Sequence, residues 1–317
     1  MLFRSEEDHE PIEFTKISEP TLSMTFSVND SPFAGRDGKY ITSRHLRDRL
    51  FKEQETDVSL RVEPTDTTEA FKVSGRGELH LSVLIENLRR EGYEFQVSKP
   101  EVMFTEDENG KRLEPMELAT IDVDETYTGS VIEKLGRRKG EMVDMHPSKG
   151  GFTRLIFKIP ARGLIGYRTE FMTDTKGTGI LNTEFEGYEK YKGDLERRQL
   201  GSLVATEKGL STAYGLNAAQ SRGQLFIAPG EEVYAGLVVG SNAKGLDIDV
   251  NVCKKKKMTN TRASGSDDAI VLTPAKKMSI EEMMEFVEED ELIEVTPHNL
   301  RIRKKILDAS KRYKSKK

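Results

Sequence analysis

The sequence predicts an α+β chain: two tandem modules of the same βαββαβ order, followed by a mainly β unit with one helix. Three observations predict it. Apolar residues alternate over short runs, the period of half-buried strands, and these runs are separated by stretches with the i, i+3, i+4 spacing of helices. The string FKVSGRG at residues 71–77 returns as FKIPARG at 157–163, a shift of 86 residues, which marks a repeated unit. Beyond about residue 194 the apolar runs shorten and glycines divide them, so the repeat ends there.

Leu22, Met24, Phe26 and Val28 alternate strictly, and the turn-rich SPFAGRDG follows. From Thr42 the run TSRHLRDRLFKE puts Leu46, Leu50 and Phe51 on one side of a helix, and Val58, Leu60 and Val62 form a second strand. A third strand over 71–73 runs through Gly75, Arg76 and Gly77 into a helix with Leu81, Leu84, Ile85 and Leu88 as its stripe and Gly92 as its stop. Tyr93, Phe95 and Val97 complete a ferredoxin-like split motif. The second module repeats that order. A strand with Leu118, Ile121 and Val123 leads to a helix from Ser130 and a strand over 142–145. Then come a strand over 152–159, a helix over 164–172 and a strand over 180–188. In the third unit, short strands are expected over 202–206, 211–216, 224–227, 233–239 and 246–252. Its one helix starts at Ser279, with Glu282 completing a capping box and Ile280, Met283, Met284 and Val287 as the buried stripe. Strands over 292–295 and 300–302 are expected to close it. The expected divisions are 1–18 as a leading segment, 19–100 and 101–194 as the ferredoxin-like modules, and 195–317 as the third unit.

Composition excludes several classes. Apolar residues make up 36% and charged residues 32%, and no stretch reaches the ~18 apolar residues of a membrane span, so no membrane partner is expected. The opening MLFRSEEDHE lacks the apolar segment of a secretory signal. Cys253 is the single cysteine, which rules out an internal disulfide and suits a reducing, cytoplasmic setting. The net charge of −5 argues against a protein coated in nucleic acid, but its distribution is uneven. Residues 254–262 carry five bases and no acid, 301–317 carry nine bases against Asp308 alone, and 281–294 carry eight carboxylates and no base. For residues 311–317 a solvated, disordered basic tail is expected.

No GxxxxGK[ST] occurs, so the chain has no P-loop for nucleotide hydrolysis, and it lacks a GxSxG elbow. The five histidines are scattered, without zinc or triad spacing, and no catalytic residue is expected. Asp122 and Asp124 share a strand face and could bind a metal, but a solvent-facing pair is the expected reading, so no metal site is assigned. Arg76 and Arg162 sit at strand-to-helix turns, where backbone N–H groups favour anions. A tight structural turn and a phosphate contact are both open for them. The more specific signal is KKKKMTNTRASGSDD at 254–268, which reads as a long exposed loop. Lys254, Lys255, Lys256, Lys257 and Arg262 can neutralise phosphates, while Thr259, Asn260 and Ser264 can hydrogen-bond ribose and phosphate oxygens.

Four strings then carry a resemblance: SGRGELHL at 74–81, ARGLIG at 161–166, TNTRASGSDDAIVL at 259–272 and VTPHNLRIRKK at 295–305. Together they resemble the BipA (TypA) family of translational GTPases, ribosome-binding relatives of elongation factor G, from about Glu19 to Lys305. The resemblance implies a GTPase domain, a β-barrel, two ferredoxin-like domains and a family-specific C-terminal domain. Only the last three match here, so it implies a C-terminal piece, with 1–18 as the end of the barrel and GTP and Mg²⁺ held outside this chain. Only four residues separate Val97 from Val102, leaving no room for the tRNA-mimicking domain of elongation factor G. The implied partners are the ribosome (50S and 70S), its RNA, A-site tRNA and the GTPase and barrel domains of the parent. In the family the C-terminal loop reaches the acceptor end of A-site tRNA and nearby large-subunit RNA; here the matching positions are Lys254 to Lys257, Thr259, Asn260, Arg262 and Ser264. Stress-responsive translation and large-subunit assembly are the implied roles. A tandem ferredoxin-like small-molecule sensor is the alternative, with an apolar pocket between the modules.

Overall fold

Alternation sets the first strand, β1 (Leu22–Val28), with Leu22, Met24 and Phe26 buried. The computed structural model describes residues 20–195, 200–255 and 270–315. Helix α1 (Ser43–Thr56) begins where Thr42 Oγ1 accepts the His45 N–H, and β2 (Arg61–Pro64), β3 (Ala70–Gly75), α2 (Glu78–Arg90) and β4 (Phe95–Val97) follow. The sheet runs β4-β1-β3-β2, all antiparallel, which is the ferredoxin-like arrangement. Leu81, Leu84, Ile85 and Leu88 bury one face of α2. Two expected core residues lie outside: Phe51 is 38% exposed and Val58 81%. The buried stripe of α1 is Leu46 and Leu50 alone, and Val58 precedes the start of β2.

Short strands β5 (Glu101–Val102) and β6 (Thr105–Glu106) pair with β1 and with the next long strand, β7 (Arg112–Asp124). Then come α3 (Glu125–Arg137), β8 (Glu141–Pro147), β9 (Phe152–Pro160), α4 (Ala161–Leu164), α5 (Tyr167–Asp174) and β10 (Ile180–Lys190). The order β10-β7-β9-β8 repeats that of the first module. The single helix expected over 164–172 is broken in two, because Ile165 leaves the helix and Gly166 takes a left-handed backbone at φ +73°. A Cβ at Gly166 would also lie 2.3 Å from the Glu285 side chain, so this turn is pressed against the third unit.

The third unit holds β11 (Gly201–Ala205), β12 (Gly209–Leu210), α6 (Ala213–Gln220), β13 (Gly223–Leu225), β14 (Glu232–Val233), β15 (Val238–Asn242) and β16 (Ile248–Val250). Its sheet is β13-β15-β11-β16, with β12 and β14 paired separately. Two expectations are corrected here. The strand expected over 211–216 is instead the start of α6: Thr212 Oγ1 accepts the Gly215 N–H, and Leu216 and Ala219 bury one side at helical spacing. The strand expected over 233–239 is split into β14 and β15 by a turn in which Gly236 has φ +91°.

Helix α7 (Ile280–Phe286) carries the expected capping box of Ser279 and Glu282. Strands β17 (Glu291–Val295) and β18 (Leu300–Lys304), expected to close the third unit, meet its backbone where Arg303 bridges Leu237 and the Lys304 N–H donates to the Gly236 carbonyl at 2.8 Å. Their sheet partner is the first module: β17 pairs antiparallel with β4, Ile293 opposite Val97 and Val295 opposite Phe95, and extends the first sheet to β18-β17-β4-β1-β3-β2. This satisfies the edge of β4, and α7 packs on α2 so that Ile280, Met283 and Met284 join the core of the first module. Buried ionic contacts fasten the added hairpin: Lys304, 1% exposed, reaches Asp247, Asp290 and Glu291. The tail expected to be disordered from 311 forms α8 (Ala309–Ser315) instead, where Arg312 binds the Leu307 carbonyl at 2.6 Å and pairs with Asp249. No helix of the described residues is long and apolar enough to cross a membrane.

Candidate nucleic-acid interface

The basic segment leaves the third unit from a rigid root. After β16, Val252 is buried, and its carbonyl accepts the Thr212 N–H at 2.9 Å. Thr212 Oγ1, besides capping α6, donates to the Lys254 carbonyl at 2.5 Å. A Cβ at Gly215 would lie 2.3 Å from the Val252 oxygen, so the first turn of α6 rests on this backbone with no space for a side chain. Cys253 is half-buried, and burial, with Glu207 nearby, raises its thiol pKa and keeps it protonated.

Gln220, the last residue of α6, fastens the returning chain. Its Nε2 donates to the Val271 carbonyl at 3.0 Å and its Oε1 accepts the Thr273 N–H at 3.1 Å. The two feet of the segment are therefore tied to opposite ends of an eight-residue helix, about 12 Å long at 1.5 Å per residue. Of the expected loop residues, Lys254 and Lys255 are described, and both are exposed. Lys256, Lys257, Thr259, Asn260, Arg262 and Ser264 lie outside the described residues. Sequence reasoning missed Thr212 and Gln220, although the Thr-x-x-Gly spacing at 212–215 could have signalled a cap.

The two turn arginines differ. Arg76 is exposed at the β3–α2 turn and has no ion pair among the described residues. The turn is held through its backbone: the Arg76 N–H donates to His80 Nδ1 at 3.2 Å, and Thr21 Oγ1 donates to its carbonyl. Of the two readings open for Arg162, its contacts favour the structural one: its guanidinium faces inward. It pairs with the fully buried Glu114 at 2.5 Å, donates to the Gly193 carbonyl and lies 4.6 Å from the centroid of the Tyr191 ring. The aspartates considered for a metal are also engaged. Arg154 binds Asp122 through two hydrogen bonds and lowers its pKa, and Asp124 caps α3 by accepting the Thr126 N–H and hydroxyl. Among the described residues no group of three or more His, Cys, Asp or Glu could hold a metal.

A polar contact joins the two modules, and a further one joins each of them to the third unit. Gly166 N–H donates to Glu78 at 2.9 Å, Lys99 pairs with Glu288 at 2.8 Å, and Arg138 approaches Glu285 at 3.8 Å. Burial pushes the Glu78 carboxyl up to about 7, opposed by the Gly166 N–H and reinforced by Glu285 and Glu281. A groove of about 800 Å³ is lined by Lys139, Glu141, Tyr188, Tyr191 and Lys192, all within the second module.

Three family models match the chain in succession. They are elongation factor G domain III over residues 41–99, the elongation factor G C-terminus over 111–199 and the TypA/BipA C-terminal domain over 200–309. Among curated relatives, the large ribosomal subunit assembly factor BipA of Bacillus subtilis is 53% identical over 312 residues, covering 98% of this chain and 51% of the relative. The protein of that name from Synechocystis is 51% identical, covering 91% and 48%, and that from Salmonella typhimurium is 50% identical, covering 93% and 49%. The chain spans about half the length of the curated relatives it matches.

Proposed function

The chain belongs to the BipA family, and from that premise we propose that it is the ribosome- and RNA-binding region of a translational GTPase that acts in large-subunit assembly. The relatives' shared name and the matched elongation factor G domains support the ribosome as partner and the cytoplasm as location. In this reading the region docks at the ribosomal A site, and the segment from Lys254 to Ser264 is directed at A-site tRNA and 23S RNA. GTP hydrolysis, with GTP and Mg²⁺, is assigned to the half of the relatives' length that this chain does not span. Stress-responsive translation is the physiological setting.

The observation that carries the reading is the anchored root of the basic segment, which presents exposed Lys254 and Lys255 on a frame tied to α6 at both feet. Arg76 offers a second, separate phosphate contact on the first module. The alternative of a small-molecule sensor would need an apolar pocket between the modules, where Gly166 N–H instead meets the Glu78 carboxylate. Co-sedimentation with 50S and 70S particles over a salt series tests the proposal. Five phosphate contacts at about −0.9 per contact predict a fall in affinity of ~2 to 3 decades for a duplex between 50 and 200 mM salt. Replacing Lys254 to Lys257 with alanine should flatten that slope. Salt-independent retention, or retention unchanged by the substitutions, would refute the assignment.

A further inference from the structure

Helix α6 does more than hold the basic segment. The chain in and around it is poor in acid: apart from Asp267 and Asp268, no Asp or Glu occurs over residues 208–230 or 250–280, in a chain with 54 acidic residues. These stretches comprise α6, the two feet tied to it and the start of the returning chain. Arg222, Lys254 and Lys255 are exposed there. Exposed apolar groups occur in the same stretches: Leu210 at 58%, Val271 at 79% and Tyr214 at 36%, while the acids nearest to them lie at the margins, Glu207 beside Cys253 and Glu232 opposite Leu210. Among the described residues, Tyr214 has neither a hydrogen bond nor a ring partner, whereas Tyr234 and Tyr191 both donate their hydroxyls to carboxylates. Tyr214 follows the cap residue Thr212 by two positions, and the adjacent Gly215 is seated on Val252, so the backbone carrying the ring is fixed relative to the lysine root.

We propose that Tyr214 is a stacking platform for an unpaired RNA base whose flanking phosphates meet the exposed Lys254 and Lys255. The inference rests on the RNA-binding reading above and adds to it the chemical class of the contact: a splayed, single-stranded nucleotide rather than a duplex. Lysines alone track a backbone without distinguishing its strandedness, and an aromatic face adds affinity only where a base is free to leave its stack. An unpartnered aromatic ring on a helix whose N-terminal cap holds the Lys254 backbone suits a polyanion carrying flat apolar groups.

The chain contains no tryptophan, so Tyr214→Trp installs a single fluorophore at the platform. The probes are a short oligoadenylate and an abasic oligoribonucleotide of equal length. Quenching of the Trp emission by oligoadenylate and not by the abasic strand is the expected result. Tyr214→Ala should weaken oligoadenylate binding by roughly 5- to 150-fold with the salt slope unchanged, since no charge is removed, and Tyr214→Phe should stay within about twofold. Equal binding by wild type and Tyr214→Ala, with the salt slope intact, would overturn the stacking role and leave the RNA-binding reading standing. No salt-sensitive binding of either probe would overturn both. If Tyr214→Ala weakened retention on 50S particles but not oligoadenylate binding, the ring would dock on protein, and the proposal would be wrong.

Discussion

Replacing Arg162 with alanine separates a structural arginine from an RNA contact. Glu114 is fully buried, and Arg162 meets it through two hydrogen bonds, Nε to Oε2 at 2.5 Å and Nη2 to Oε1 at 3.2 Å. Glu114 Oε1 also accepts the Lys192 N–H at 2.6 Å, so the carboxylate joins β7 to the chain beyond β10. Removing one partner of such a pair leaves an uncompensated buried charge, which costs about 3–5 kcal/mol. For a module of this size, that lowers the melting midpoint by on the order of 15 °C. Urea unfolding followed by circular dichroism measures it, with Arg76→Ala as the control, since an exposed arginine without an ion pair costs within about 0.5 kcal/mol. The double variant Arg162→Met with Glu114→Gln should recover at least about 2 kcal/mol, because the stranded charge is gone while the new side-chain amide oxygen still accepts the Lys192 N–H. If Arg162→Ala left stability within about 0.5 kcal/mol of wild type and instead weakened retention on ribosomes, the inward assignment would be refuted.

Two further outcomes follow from the junction and the segment root. The Glu78 carboxyl is raised to about 7 where it faces Gly166 N–H, Glu285, Glu281 and Arg138. A raised carboxyl stabilises fully below the unfolded value of 4.5, and that stability is lost as pH climbs through about 7. Relative to Glu78→Gln, wild type should therefore lose about 2 to 3 kcal/mol between roughly pH 5 and 8.5, and parallel stability curves would contradict this. Thr212→Ala removes the α6 cap and the bond to the Lys254 carbonyl, so it should cost about 1 kcal/mol. It should also speed tryptic cleavage at Lys254 and Lys255, whereas unchanged cleavage would mean the root is held elsewhere.

Much of the fold was legible because its signals are local. The alternation of Leu22, Met24 and Phe26, the stripe of α2 and the capping box at Ser279 each depend on residues within one element. Phe51, in the middle of α1, and Val58, just before β2, are exposed because the period sets a direction without saying whether anything covers it. Residues 211–216 read as a strand because Thr212 and Tyr214 suit one, while the cap of Thr212 on Gly215 decides for helix. For the site, the lysine run and its lack of acids were readable, but the frame around it was not. Gln220 binds Val271 and Thr273 across 51 and 53 residues, a pairing with no spacing rule.

Periodicity, caps and the repeat of FKVSGRG as FKIPARG determined the two βαββαβ modules, because these signals need only neighbours along the chain. Only the tertiary structure decided that β17 returns across almost two hundred residues to pair with β4, and that Arg162 turns inward to Glu114. An unpaired strand edge and a buried carboxylate must each find a partner, and which one they find depends on what folding brings within hydrogen-bond reach.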